Sequence, residues 1–188
     1  MSEQDRIRWD DRYRSRPASD PAAAELPDVF TPYEDRFPAT GHALDLACGA
    51  GPASVWLARR GMDVLGVDVS PIAIAQARAL AAANGVSNRC RFEVFDLDDG
   101  LPAGPPADVI LCHLYRDPRL DRPIIERLAP GGLLAITVLS EVGVGPGRFR
   151  AAPGELTTAF AELEPIAVGE ANGRAWLLAR KAPETQTT

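Results

Sequence analysis

Three carboxylates in this chain sit in or at the end of short apolar runs: Leu44-Asp45-Leu46, Val64-Leu65-Gly66-Val67-Asp68 and Phe92-Glu93-Val94-Phe95-Asp96. The first run opens directly into Ala47-Cys48-Gly49-Ala50-Gly51-Pro52. Glycines at 49 and 51 let a ligand lie against the backbone, where a Cβ would collide with it. Asp68 follows Gly49 by 19 residues, the spacing at which a carboxylate closing the next strand accepts both hydroxyl protons of a ribose. A nucleoside bound to a sheet edge is the chemistry this spacing serves. The turn does not suit a dinucleotide. Position six of a Gly-x-Gly-x-x-Gly pattern is Ser54, and Asp45 would repel a pyrophosphate seated at the following helix. A cationic ligand gains from Asp45 instead.

The elements that position these residues alternate along the chain. The pattern predicts strands at His42–Ala47, Asp63–Val67, Arg91–Phe95, Asp108–Cys112 and Leu133–Leu139. It predicts helices at Ala53–Arg60, from Pro71 to about Asn84, at Pro118–Leu128 and at Glu155–Leu163. Ser70 is the expected N-cap of the second, and Gly61 ends the first. Such alternation implies an α/β fold, a mostly parallel sheet with helices on both faces. Ile166–Gly169 and Arg174–Arg180, joined by Asn172-Gly173, read as a closing antiparallel hairpin. Before the sheet, residues 1–40 read as a helical lid carrying Trp9 and Tyr13, joined by an arm that Pro17, Pro21, Pro27, Pro32 and Pro38 keep out of long helix. Residues 41–180 form the ligand-binding domain, and 181–188 a flexible tail.

The ordered pieces Asp45-Leu46-Ala47-Cys48-Gly49-Ala50-Gly51, Gly66-Val67-Asp68-Val69-Ser70, Phe95-Asp96-Leu97, Ala107–His113 and Leu128-Ala129-Pro130-Gly131-Gly132 resemble the class I S-adenosylmethionine-dependent methyltransferases. Trp9-Asp10-Asp11-Arg12-Tyr13 and Pro153-Gly154-Glu155-Leu156 are similar to the small single-domain tellurite-resistance methyltransferases. The resemblance implies a seven-stranded, Rossmann-like sheet and S-adenosyl-L-methionine as donor. It implies that Asp45, Ala47, Gly49 and Gly51 surround the methionine portion, Asp68 and Val69 the ribose, and Asp96 and Leu97 the adenine. The chain departs from the commoner pattern in having Ala47 where the first glycine of the turn stands.

Methyl transfer from a sulfonium is an in-line displacement with a good leaving group, so alignment of donor and acceptor supplies most of the catalysis. A base is needed only where the acceptor must lose a proton. His113, just past the fourth strand, is the candidate for that base, with Tyr115 beside it. Its plainer reading is packing near the donor. Tyr13, Arg116 and Arg148 are the candidates for holding substrate. Cys48, Cys90 and Cys112 are scattered and have no metal spacing, and Cys48 and Cys112 read as packing residues beside the pocket. No metal is expected.

With 20 basic and 26 acidic residues, the net charge of −6 argues against nucleic acid and for a small-molecule acceptor. The charged start of the chain and the lack of a long apolar run predict a cytoplasmic protein with no membrane contact. Other readings are an RNA- or protein-directed methyltransferase of the same fold, a donor-binding module without catalysis, and an NAD-linked reductase, which Ser54 and Asp45 disfavour.

Overall fold

The computed structural model describes residues 3–15, 24–147 and 150–184. Its centre is one seven-stranded sheet in the order β3-β2-β1-β4-β5-β7-β6. The strands are β1 (His42–Leu46), β2 (Asp63–Asp68), β3 (Cys90–Val94), β4 (Ala107–His113), β5 (Leu128–Leu139), β6 (Glu164–Ala171) and β7 (Arg174–Arg180). The first five are parallel, while β7 runs antiparallel to both β5 and β6. Asn172 at φ 51 and Gly173 at φ 76 make the tight turn between β6 and β7, as their types predict. The chain winds outward from β1 to β3 and then returns to the other side of β1 as β4. That reversal opens a crevice at the carboxyl ends of β1 and β4, where open α/β sheets take their ligands.

Alternate side chains of the central strands feed opposite layers. Leu44, Leu46, Ile110, Cys112, Leu134 and Ile136 pack against Ile124 and Ile125 of α4 (Asp121–Arg127) and Leu156 of α5 (Glu155–Ala159). Ala43, Val109, Leu111, Leu133 and Ala135 face Leu57 of α2 (Pro52–Arg60) and the arm residues Leu26, Phe30 and Phe37. A third cluster sets Phe92 of β3 against Ile74, Ala77 and Leu80 of α3 (Pro71–Ala83).

The N-terminal segment opens with α1 (Glu3–Arg14), which lies on α3, where Gln76 Nε2 donates to the Tyr13 carbonyl at 3.0 Å. Pro17 and Pro21 lie outside the described residues. Asp28–Arg36 forms a 3-10 segment broken at Tyr33. Phe30 is wholly buried and Phe37 nearly so, so the arm is a layer of the domain core.

Several elements differ from their sequence pattern: the helix expected at Pro118–Leu128 is a 3-10 turn (Pro118–Leu120) followed by α4, and β5 begins at Leu128 instead of Leu133. The expected helix at 155–163 stops at Ala159. The hydroxyls of Thr157 and Thr158 bond back to the Gly154 carbonyl, and Phe160 leaves helical geometry to bury its ring with Leu163. At the other end of the chain, Lys181, assigned above to the tail, is tied down. Its backbone pairs with Gly131 and Gly132, and its Nζ donates to the Leu128 carbonyl at 2.7 Å. Among the described residues, no helix is long and apolar enough to cross a membrane.

Candidate active site

The glycine turn follows β1 directly. Cys48 N–H donates to the Val67 carbonyl and Gly51 N–H to the Cys48 carbonyl, which folds the turn over the end of β2. Ala47 takes φ 53, a left-handed conformation that costs a residue with a Cβ about 1–2 kcal/mol. The position therefore favours glycine on backbone grounds. Gly49 is also left-handed (φ 56), and a Cβ there would lie 2.5 Å from Tyr13 Oη. Part of the space that glycine leaves is thus taken by the protein's own tyrosine.

Asp45 is buried beneath the turn and accepts a 2.6 Å hydrogen bond from Ser54 Oγ of α2. Burial, with a smaller contribution from nearby Asp68, pushes its pKa up to about 7 in spite of that hydrogen bond. Asp68 accepts the Gly49 N–H on one oxygen and the Ser70 N–H on the other, each at 2.9 Å. Its pKa is raised by burial, against those two bonds, with Asp10 adding to the rise. Each carboxylate oxygen has a second lone pair, so Asp68 keeps acceptor capacity for hydroxyl groups.

Asp45, Ala47, Cys48, Gly49 and Asp68 line a cavity of about 510 Å³ that also reaches Val69, Phe95, Leu97, His113, Tyr115 and Tyr13. Four expected site residues stand elsewhere or fall outside the description. Gly51 caps α2 at φ 78, and a Cβ there would meet Ala77 Cβ at 2.8 Å and the Phe92 ring at 3.2 Å. Its hydrogen atom serves helix packing, not ligand approach. Asp96 is absent from the cavity wall and accepts the Asp98 N–H at 3.0 Å, capping a short 3-10 turn. Arg116 also lies off the cavity, with its guanidinium bonded to both oxygens of Asp121 and, at 2.7 Å, to Glu155. That ion cluster ties the loop after β4 to α4 and α5. Arg148 lies outside the described residues.

His113 is an exposed residue at the carboxyl end of β4, on the wall of the cavity. Partial desolvation and the charge of Arg174 hold its pKa below the ordinary value, against the pull of Asp28. Its Nδ1 is 2.7 Å from Thr137 Oγ1, which also accepts the Leu114 N–H at 3.1 Å. Leu114 sits at φ 58, so the chain bends under strain as it leaves β4. Tyr115 has its pKa raised by burial and by Asp117, so its phenol stays protonated and serves as a hydrogen-bond donor. Burial pushes the Cys48 thiol well up and that of Cys112 to about 12, in keeping with packing roles.

Sequence reasoning missed Asp10, Ser54, Thr137 and Arg174. Asp10 is 3 % exposed and accepts a short hydrogen bond from Ser70 Oγ, while Arg6 Nη1 stands 3.0 Å from its other oxygen. Ser70 Oγ also caps α3 through the Ala73 N–H. Asp10 stood inside the Trp9–Tyr13 motif, whereas no local signal marks Thr137 or Arg174.

A glycine turn over the carboxyl ends of parallel strands, an acid beneath it and another at the end of β2 define a Rossmann-like nucleoside site with an appended antiparallel hairpin. Residues 43–132 match the family described as a methyltransferase domain. Over 96 residues the chain is 38% identical to the ribosomal protein L11 methyltransferase of Thermus thermophilus, covering 50% of this chain and 37% of that protein. The first curated relatives are each matched over no more than 41% of their own length. Among solved structures, TehB from Haemophilus influenzae superposes with a TM-score of 0.66 at 22% identity, covering 74% of this chain and 57% of that one. A structure described under conversion of a disulfide bond into a thioacetal group during echinomycin biosynthesis superposes with a TM-score of 0.69 at 21% identity, covering 97% and 95%. At such identities the structural matches speak for the fold. Residues 43–132 are thus a match to a methyltransferase domain, and the sheet order is similar to that of the class I S-adenosylmethionine-dependent methyltransferases.

Proposed function

We propose that this protein is a methyltransferase that takes its methyl group from S-adenosyl-L-methionine and passes it to a small-molecule acceptor. The observation that carries the reading is Asp45. A buried carboxylate with its pKa near 7, under a glycine turn, becomes a stable anion once a cation is placed against it. A donor with a sulfonium and an ammonium group supplies that cation, and an excellent leaving group at the methyl carbon. The rest of the cavity fits the same molecule. Asp68 retains lone pairs for ribose hydroxyls, and Val69, Phe95 and Leu97 offer apolar walls to a purine. Tyr13 and Trp9 of α1 line the cavity on the side over the turn.

The acceptor reading rests on enclosure and charge. Glu25, Asp28, Asp45 and Asp68 all line the cavity, and its described arginines are Arg12 and Arg174. An RNA substrate would want a basic track along its phosphates. The likeness to ribosomal protein L11 methyltransferases supports a protein acceptor as the second reading.

Calorimetry with S-adenosylmethionine, S-adenosylhomocysteine and NADH tests the donor. Binding of the first two, at least tenfold weaker in Asp68→Ala, is expected. Binding of NADH alone would overturn the reading. Labelled methyl recovered in protein, not in the small-molecule fraction of a cell extract, would favour the second reading.

A further inference from the structure

The outer half of the cavity carries a second pattern, set by strand register. His113 of β4 pairs with Thr137 of β5, and Thr137 pairs with Trp176 of β7. The three stand side by side across one face of the sheet. Arg174 lies two residues along β7 and so on that same face. All four line the cavity. The row is held in place. Thr137 Oγ1 fixes both His113 and the strained Leu114 backbone, and the Trp176 indole lies across Gly169 of β6, where any Cβ would strike it.

Arg174 differs from the other arginines in its surroundings. Arg116 is locked by Asp121 and Glu155, and Arg12 lies 5.4 Å from the centre of the Trp9 ring. Among the described residues, the Arg174 side chain makes no hydrogen bond, ion pair or ring contact, although it lines a cavity rich in carboxylates. The acids Glu25 and Asp28 come from the arm, and Asp45 and Asp68 from the donor end. Against these four acids the cavity sets two described arginines, Arg12 and Arg174.

We propose that Arg174 anchors a carboxylate on the methyl acceptor, and that this cavity takes aromatic carboxylic acids. The proposal rests on the methyltransferase reading of the same cavity. A guanidinium binds a carboxylate through two parallel hydrogen bonds, which fixes orientation as well as position. Trp176 lines the cavity beside Arg174 and His113 and offers the acceptor ring an apolar edge. Two strand spacings and one same-face step separate the backbones of those two residues by about 12 Å. The reach of the arginine side chain reduces that gap to one an aromatic ring with a substituent at each end spans. The substituent facing His113 is then the nucleophile. Its hydroxyl oxygen forms the bond to the methyl carbon as the carbon–sulfur bond breaks, and the electron pair of that bond stays on sulfur. The hydroxyl proton passes to the imidazole of His113, whose unprotonated form is favoured by partial desolvation and by the charge of Arg174.

The test is calorimetry on the full chain saturated with S-adenosylhomocysteine, using 4-hydroxybenzoate against its uncharged analogue 4-hydroxybenzamide, with sulfate as competitor. At least a tenfold preference for the acid is expected, lost in Arg174→Met and partly kept in Arg174→Lys. A proton NMR titration of His113, distinguished from His42 by a His42→Gln variant, adds a readout that simple destabilisation would not produce. Its pKa should rise in Arg174→Met, and should rise in the wild type when 4-hydroxybenzoate binds. Equal binding of acid and amide, binding of neither, displacement by sulfate at equal affinity, or a preference that survives Arg174→Met would overturn the proposal. In each of those cases S-adenosylhomocysteine binding leaves the donor reading standing, whereas its absence in the wild type would overturn the donor reading itself.

Discussion

The hydroxyl of Ser54 donates a 2.6 Å hydrogen bond to the carboxylate of Asp45, and both groups are shut off from water. The one residue that departs from a dinucleotide pattern at its sixth position is thus the partner of the acid that would repel a pyrophosphate. Gly66, paired with Asp45 across β1 and β2, leaves room for this contact, since a Cβ there would lie 3.0 Å from Ser54 Oγ.

This pairing sets a pH dependence. Asp45 has a folded pKa of about 7 against an ordinary 3.8, so between those values the folded protein holds a proton that the unfolded chain has lost. Stability of the free protein falls as pH rises from about 4 to 7, by at most about 4 kcal/mol at 1.36 kcal/mol per unit. The cationic donor prefers the ionised form, so its affinity should rise over the same window with uptake of a proton by buffer. Asp45→Asn is expected to raise the melting temperature at pH 8 and to weaken S-adenosylhomocysteine binding at least tenfold. Calorimetry in buffers of different ionisation enthalpy checks the proton release.

Asp10 is linked to Asp68 through Ser70, whose hydroxyl bonds Asp10 and whose N–H bonds Asp68. Hydrogen bonds to charged groups are worth about 1.5–3 kcal/mol. Asp10→Ala should therefore loosen α1, seen as faster amide exchange over residues 6–14, and weaken donor binding roughly tenfold. Unchanged donor affinity would separate α1 from the site.

Gly51→Ala combines a left-handed backbone with a contact of 2.8 Å to Ala77 Cβ. About 2–4 kcal/mol of stability should be lost in urea denaturation. Donor affinity of the fraction that remains folded should change less than twofold, because position 51 is off the cavity wall.

Arg116→Ala leaves Asp121 and Glu155 without their common cation. The Arg116 side chain is 8% exposed and its partners 18% and 29%, so the loss should be about 2–3 kcal/mol, less than for a fully buried pair. Binding of S-adenosylhomocysteine should persist. A selective loss of acceptor binding at full stability would return Arg116 to the substrate site.

Local pattern carried much of this protein. The apolar runs with their closing acids, the glycine turn, the Ser70 cap and the Asn172-Gly173 hairpin are properties of neighbouring residues, and backbone sterics and side-chain period decide them at short range. They were enough to bring the glycine turn, Asp45 and Asp68 to one cavity and to give the order of the elements. Tertiary structure decided the rest. Gly51 serves packing because α3 and β3 converge on it, and Arg116 turns from the cavity because α4 and α5 bring two acids to it. His113, Thr137, Trp176 and Arg174 form one row only because the register of three strands aligns residues far apart in the chain. Register is set by which faces are buried across the whole sheet. No stretch of sequence contains that information by itself.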